Sequence, residues 1–567
     1  VVFEARREPV PIKTKTPESH FGGDRRQLFA GIRITSFGTL ASRVLGMVRD
    51  MATAALLGLS GDGVMDAFVF AFRIPNFFRR LFGEGALAAS YLPVLSKRLE
   101  EDRAGAWQLA SVVLVWLSVT LAAVVVLAEG ACLALWWVDG DRPGMRLLLG
   151  LTAVMLPYLF FICLAAQLAG TLHAMAHFST PALAPTLLNI CWLVAVWFVA
   201  PLFALEKETQ AYILAVSVLV AGVLQLVSQV PILWSLGFRF DYQWQASRQA
   251  VWQIVASLAP MVLGLAVTQI NTLCDSLLAW ALASPGDGSE QIAWLNHAVP
   301  YPMQRGAVAA IYYGERLYQF PLGLLGMAVA TVIFPALSRH AARGERGRLA
   351  EDLTLGLRLV LFLGVPAGAG LVLLSDPLAR LLFEHGEFTA NDAARVARMI
   401  ACYGLGVWAF CALPVVVRGF YALGDQRTPV KAGLAAMLAN LGLNLALVWP
   451  MAEAGLALST SLSAVLQLGL LVGFFARRFG ALHWGELAST IRTTLTATAA
   501  MLAVGGGVLW LSPHGTHLGA ELADVFLPIT AAGLSFAAVS WLLRAPELEL
   551  LVGRGGGDRD VDRTGPV

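Results

Sequence analysis

Two neighbouring apolar stretches between Thr35 and Glu84 carry more charge than a lipid-facing helix tolerates, and that contradiction limits what the chain can become. In the first, Thr35, Thr39, Ser42, Gly46, Arg49 and Thr53 recur at steps of three and four. This spacing lays a small, polar stripe along one helix face, with Arg43 at its flank. The second runs from Met65 to about Phe82 and holds Asp66, Arg73, Asn76, Arg79 and Arg80, interrupted by Pro75. An arginine at mid-bilayer costs roughly 2.5–3.5 kcal/mol on insertion scales. A set of them therefore calls for a water-filled or protein-lined interior. For a single member, such as Arg49 beside Asp50, the competing reading is a structural ion pair.

The rest of the chain supplies the membrane context. Of 567 residues, 57% are hydrophobic and only 14% charged, with a mean hydropathy of +0.68, which excludes a soluble globular protein of this size. Cys132, Cys163, Cys191, Cys274, Cys402 and Cys411 stand singly in or beside apolar runs and read as small hydrophobes rather than metal ligands. Taking about 20 apolar residues per crossing, the sequence predicts spans at 33–58, 64–83, 106–130, 147–172, 181–203, 210–236, 251–283, 308–337, 354–375, 395–422, 431–451, 455–476, 488–512 and 522–544. The expected fold is an all-α polytopic membrane protein of about fourteen transmembrane helices.

Basic residues concentrate after even-numbered spans, as at Lys97/Arg98/Arg103 and at Arg339, Arg343, Arg346 and Arg348. Acidic residues follow odd-numbered ones, as at Asp139/Asp141 and Glu384/Glu387. The positive-inside rule then puts both termini in the cytoplasm, the first as a basic tail over residues 1–32 with no signal-peptide pattern, the second over 545–567.

An internal repeat refines the division. Gly85-Ala-Leu-Ala-Ala-Ser-Tyr-Leu-Pro93 resembles Gly326-Met-Ala-Val-Ala-Thr-Val-Ile-Phe-Pro335, and the stretch ending His177-Phe-Ser-Thr180-Pro181 resembles that ending Asp425-Gln-Arg-Thr428-Pro429. Both pairs lie a little over 240 positions apart. Residues 33–236 and 251–476 thus read as two homologous six-helix halves of like orientation around a central cavity, with 488–544 as two extra C-terminal helices.

The first half supplies that cavity with arginines, and the second adds Glu315-Arg316 on a face continued by Gln319, Gly323 and Met327. A guanidinium keeps its proton, and its fork binds phosphate oxygens in pairs. Arg49, Arg79 and Arg316 are expected to converge on a phosphate or diphosphate. Pro75 disturbs the helical phase, so periodicity leaves open whether Arg79 or Arg80 faces inward.

These residues carry a resemblance. Ser42-Arg43-Val-Leu-Gly46-Met-Val-Arg49-Asp50, Asp66-Ala-Phe68 and Pro75-Asn76-Phe-Phe-Arg79-Arg80-Leu-Phe-Gly-Glu84-Gly85 are similar to the signature of the MurJ (MviN) family of lipid II flippases. So are Pro185-Thr-Leu-Leu-Asn189, Tyr313-Gly-Glu-Arg316, Phe388-Thr389-Ala390 and Arg427-Thr428-Pro429. The resemblance implies a transporter of the multidrug/oligosaccharidyl-lipid/polysaccharide exporter superfamily in the bacterial inner membrane, and not an enzyme. It would move lipid II, the undecaprenyl-diphosphate-linked peptidoglycan precursor, to the outer leaflet by alternating access. It implies that Arg43, Arg49, Arg79 and Arg316 bind substrate. Asp50, Asp66, Glu84 and Glu315 would act as gating or supporting charges, and the two extra helices would form a groove for the lipid tail.

The resemblance also implies a sodium-type coupling cation held by Asp275, Asn440, Asn444 and Thr460, with no other cofactor. Asn440 and Asn444 share a helix face, which fits oxygen coordination, while interhelical hydrogen bonding is the competing reading. Expected partners are lipid II, membrane lipids and the cell-wall synthesis machinery, and no nucleic acid. Ser284 to Gly306 is longer than the family pattern. Two alternatives stay open: another exporter of lipid-linked oligosaccharides or drugs in the same superfamily, and a polyprenyl-phosphate membrane enzyme. Against the enzyme, no acidic pair or His/Ser set accompanies the arginines, and His173 and His177 are expected in an interfacial loop.

Overall fold

In the computed structural model, residues 21–551 are described except for 60–62, 82–86, 143, 204–205, 286–290, 295–296, 481, 513–514 and 516. The first half comprises α1 (Phe21–Leu57), α2 (Val64–Phe78), α3 (Leu87–Glu101), α4 (Arg103–Asp139), α5 (Met145–Ala174), α6 (Ser179–Phe203) and α7 (Lys207–Ser235). The second comprises α8 (Trp244–Ala281), α9 (Ala307–Ala342), α10 (Arg346–Leu373), α11 (Ser375–Phe383), α12 (Ala390–Gly404), α13 (Val407–Ala422), α14 (Arg427–Met451) and α15 (Glu453–Phe479). There follow α16 (Trp484–Leu511), α17 (Leu518–Leu542) and a short α18 (Pro546–Leu551). A two-stranded antiparallel hairpin, β1 (Gln291–Trp294) with β2 (His297–Pro300), lies inside the extended Ser284–Gly306 connection.

Among the described residues, ten of these helices are long and apolar enough to cross a membrane unaided, and α12 with α13, bent by 43°, makes an eleventh. α1, α2 and α8 lie where the sequence reading expects its other three spans, at 33–58, 64–83 and 251–283.

Several boundaries differ from the sequence reading. Helix begins at Phe21, so the last twelve residues of the expected N-terminal tail are helical. α4 runs nine residues past the expected end at 130, because nothing in Ala-Cys-Leu-Ala-Leu-Trp-Trp stops a helix before Gly140. Residues 546–551 of the expected C-terminal tail form α18. Glu84 and the start of the Gly85 repeat motif lie outside the described residues, as do residues 1–20 and 552–567.

Local rules set the helix starts. Asp102 caps α4 by accepting from the N–H groups of Ala104 (3.0 Å) and Gly105 (2.9 Å), and Thr389 with Asp392 forms a capping box on α12. Gly306, at φ 89°, opens α9 where a Cβ would sit 2.7 Å from the Leu59 carbonyl oxygen, so the turn admits only glycine.

The halves meet at the end of the bundle where α1 finishes and α2, α9 and α12 begin. There the Asp66 carboxylate accepts from the Gly306 (2.6 Å) and Ala309 (2.9 Å) N–H groups, placing an anion at the start of α9. The Glu387 N–H donates to the Ala55 carbonyl (2.9 Å), and Lys207 pairs with Glu387 (2.9 Å). Buried Arg395 pairs with Glu453 (2.7 Å) and donates to the Arg305 carbonyl (2.7 Å).

α8 belongs to both halves. Its first turns lie on α3 and α4, with Ile254 in the same apolar cluster as Tyr91 and Leu95 and with Trp244 packed on Trp116. Its far end packs on α14. The C-terminal pair α16 and α17 is fastened to α10 by Arg358, which donates to Thr490 (3.1 Å) and to the buried Glu547 of α18 (2.9 Å).

Candidate functional site

From Thr39 onward, the polar stripe of α1 faces α6 and the space between the halves. Beside the stripe, Gly38 lies so close to Ala182 that a Cβ would meet its carbonyl oxygen at 2.7 Å, so α1 approaches α6 closely at a glycine. Further along, the Asn189 amide donates to the Ser42 carbonyl (2.9 Å), and the Trp192 indole donates to Thr53 (3.0 Å). One turn earlier than Thr53, Arg49 reaches past these residues into a cavity.

That cavity has a volume of about 720 Å³. Arg43, Arg49, Arg79, Arg80 and Arg316 all line it, against a single carboxylate, Asp50, among the described lining residues. α2 widens into a π turn at Arg79, Arg80 and Leu81, three residues after the Pro75–Asn76 step. The extra rotation brings both arginines to the cavity wall, where periodicity alone could not choose between them. The lining continues through Ser42 and Arg43 to Pro181 and Ala182, toward the end opposite the closed junction of the halves.

The arginines are held in two ways. Arg49 is 5% exposed and donates to Asp50 (2.7 and 3.0 Å), to Asn189 (3.1 Å) and to the Tyr312 hydroxyl (3.2 Å), with its guanidinium 4.4 Å from the Trp192 ring centre. The other Asp50 oxygen pairs with Arg316 (2.9 Å), which also donates to Tyr312. Asp50 therefore bridges an arginine of each half. Arg79 is braced by Asn76 (2.8 Å), and exposed Arg43 lies against Gly323 of α9. The structural ion pair and the cavity cation, alternatives for Arg49 on sequence grounds, are thus both present at once.

The other expected charges sort by position. Glu315 points away from the large cavity, into a small annex of about 40 Å³, and accepts from Arg73 (3.2 Å). Asp66 serves the start of α9 rather than the cavity. His173 is on α5, not in a loop, and lines the cavity while stacking on Phe178.

Asp275, Asn440, Asn444 and Thr460 come together in a separate cluster between α8, α14 and α15. The Asn444 amide donates to Asp275 (2.6 Å), and the Thr460 hydroxyl donates to its other oxygen (3.3 Å). Asn271, one turn before Asp275, joins them, its side-chain oxygen 3.0 Å from the Asn440 amide. The i, i+4 spacing of Asn271 and Asp275 was the available signal for it. One carboxylate with amide and hydroxyl oxygens is a donor set for a hard monovalent cation, and the Asn444 side-chain oxygen is buried without a hydrogen-bond partner. Among the described residues, no three His, Cys, Asp or Glu side chains gather into a metal-binding group.

The family model described as lipid II flippase MurJ matches residues 53–527. This chain belongs to the MurJ lipid II flippase family. The probable lipid II flippase MurJ of Vibrio cholerae is 33% identical over 91% of this chain and 95% of its own length. The lipid II flippase MurJ of Burkholderia cenocepacia is 31% identical, covering 78% and 83%. In three dimensions, a lipid II flippase MurJ in an inward closed conformation superposes with a TM-score of 0.69 at 23% identity, over 90% of this chain and 99% of the other. An inward-facing MATE-family multidrug resistance transporter superposes at 0.62 with 13% identity, over 79% and 96%. These likenesses show that the chain shares the all-helical fold of both transporters.

Proposed function

We propose that this protein carries lipid II from the inner to the outer leaflet of the bacterial cytoplasmic membrane, binding its diphosphate among Arg43, Arg49, Arg79 and Arg316. The observation that carries this reading is the charge of the cavity: five guanidiniums against one carboxylate. A diphosphate matches such a wall, since each fork binds a pair of phosphate oxygens and a cationic drug is repelled. Arg80 belongs to the same wall. The headgroup sits between the halves while the polyprenyl tail stays in lipid along α16 and α17.

Transport then requires the halves to part at the end where Asp66 and Glu387 join them, and to meet at the other. The basic connections support an orientation with that other end, and both termini, in the cytoplasm, in which this cavity faces inward. Asp275, Asn440, Asn444 and Thr460, with Asn271, are the residues that would hold a sodium-type coupling ion. Such an ion supplies positive charge to offset Asp275. Enzymes of cell-wall synthesis are the partners that a newly exposed precursor would meet.

The assignment is tested by reconstituting the protein in vesicles and following lipid II between leaflets. Transfer that needs the protein and leaves the lipid's mass unchanged is expected, and no transfer above protein-free vesicles would refute it. Topology is tested separately with single cysteines at Gln291 and Arg343, both exposed. An impermeant thiol reagent on intact cells should label position 291 and spare 343, and the reverse pattern would overturn the orientation.

A further inference from the structure

Arg73 is a buried cation that lines neither the arginine cavity nor the Asp275 cluster, yet touches the walls of both. From α2 it donates to the Thr272 carbonyl (3.1 Å) and the Ser276 hydroxyl of α8, and to Glu315 of α9 (3.2 Å). Thr272 and Ser276 flank Asp275, the carboxylate of the amide cluster. Glu315 precedes Arg316, which holds Asp50 in the cavity. The annex around Arg73 shares Phe72, Asn76, Arg80, Arg316 and Gln319 with the large cavity, so the two lie on either side of a common wall.

We propose that Arg73 is a positioning residue that couples occupancy of the arginine cavity to the position of α8 beside the Asp275 cluster. The proposal rests on the reading that the cavity takes a polyprenyl diphosphate. A diphosphate on Arg80 and Arg316 brings negative charge to the cavity side of the annex, where it repels Glu315 and attracts the Arg73 guanidinium. The two acceptors on α8 are neutral, a carbonyl and a hydroxyl, and compete poorly with a dianion for a cation. When the guanidinium leaves them, α8 is no longer tied to α2 next to Asp275, while its first turns remain docked on α3 and α4. The helix that belongs to both halves is then free to shift against α14. A lysine in this place carries the charge but lacks the fork that spans two helices at once.

The test uses the full chain in lipid nanodiscs, with its six native cysteines replaced by alanine and spin labels at Ala281→Cys, at the end of α8 beyond Ser276, and Lys431→Cys on α14, both exposed positions. Lipid II is titrated while the separation of the labels and the binding are measured together. In the parent protein, lipid II is expected to change the separation. Arg73→Lys and Ser276→Ala should bind lipid II within about threefold of the parent, adopt the ligand-bound separation without ligand, and lose at least half of the ligand-induced change. Ser276→Ala alters no charge and serves where Arg73→Lys fails to fold. A full ligand-induced change in both variants would make Arg73 a mere structural tie and overturn the proposal. Lipid II that binds the parent without moving the labels also overturns it, leaving the flippase reading intact, whereas no binding by the parent removes that reading and the relay with it.

Discussion

The arginine cavity and the Asp275 cluster are both polar places inside an apolar protein, yet they solve opposite problems. The cavity gathers charge of one sign from α1, α2 and α9, on both halves, and leaves it facing open space. The cluster gathers one carboxylate and a set of amides and hydroxyls from three helices, and closes them on one another. A surplus of fixed cations in low dielectric is stable only when water or an anionic ligand shares the space. A carboxylate surrounded by amide donors is largely satisfied as it stands. The contrast points to a cavity built for a guest of high charge, and a cluster that sets how the helices around it lie.

The sharpest way to break this comparison is to remove the cavity's cations. Arg49→Ala, Arg79→Ala and Arg316→Ala are each expected to weaken lipid II transfer by about 10- to 100-fold, the worth of one charge-assisted hydrogen bond to a phosphate. Lysine at the same positions should recover little, since it replaces a fork by a point charge. Transfer at parental rates by all three alanine variants in reconstituted vesicles would contradict the assignment.

Asp50 separates substrate binding from stability. Asp50→Ala leaves buried Arg49 and its partner Arg316 without their shared carboxylate, at a cost of about 3 kcal/mol. The variant should unfold at lower temperature than the parent in detergent, and lipid II should raise its unfolding temperature by more than it raises the parent's. An equal ligand-induced rise in both proteins would mean that the diphosphate does not replace Asp50.

Glu453→Ala offers a control with similar burial and no cavity. It strands Arg395, which is 2% exposed, and should lower stability by about 3–5 kcal/mol. Lipid II binding by the folded fraction, read by titration, should stay at the parental affinity.

The smallest effects are expected in the cluster. Asp275→Asn keeps the side chain's size and one of its acceptors, so transfer should fall by less than about tenfold. Asn444→Asp adds a second carboxylate to the oxygen set and should make transfer respond to sodium over potassium more strongly than in the parent. Indifference of both variants to the cation would leave the cluster a purely interhelical one.

How much of this is legible in the sequence differs between the two sites. Asp275, Asn440, Asn444 and Thr460 are readable one by one, and the structure adds Asn271, whose one-turn spacing from Asp275 is present in the sequence but carries no charge to single it out. In the cavity, Arg49 and Arg316 are legible from their spacing and neighbours, while Arg43 enters only through the family resemblance. The choice between Arg79 and Arg80 is not legible, because Pro75 and the following π turn change the angle between successive side chains, and a fixed 100° step misplaces everything beyond them. His173 reads as a loop residue because the turn signal at Ser179–Thr180–Pro181 suggests a longer connection than the one that forms after α5.

The sequence by itself determined the membrane-spanning helices, the repeat and the presence of an arginine-lined interior, because bilayer thickness and the cost of a buried charge act on each segment separately. Only the tertiary structure decided that one carboxylate, Asp50, serves an arginine from each half, that Asp66 holds the start of α9, and that Arg73 stands between the two sites. Each of these joins residues far apart in the chain, as Asp66 joins Gly306 across 240 positions and Arg73 joins Glu315 across 242. A side chain's partner across a helix interface is fixed by how the helices pack and not by the spacing of residues along any one of them.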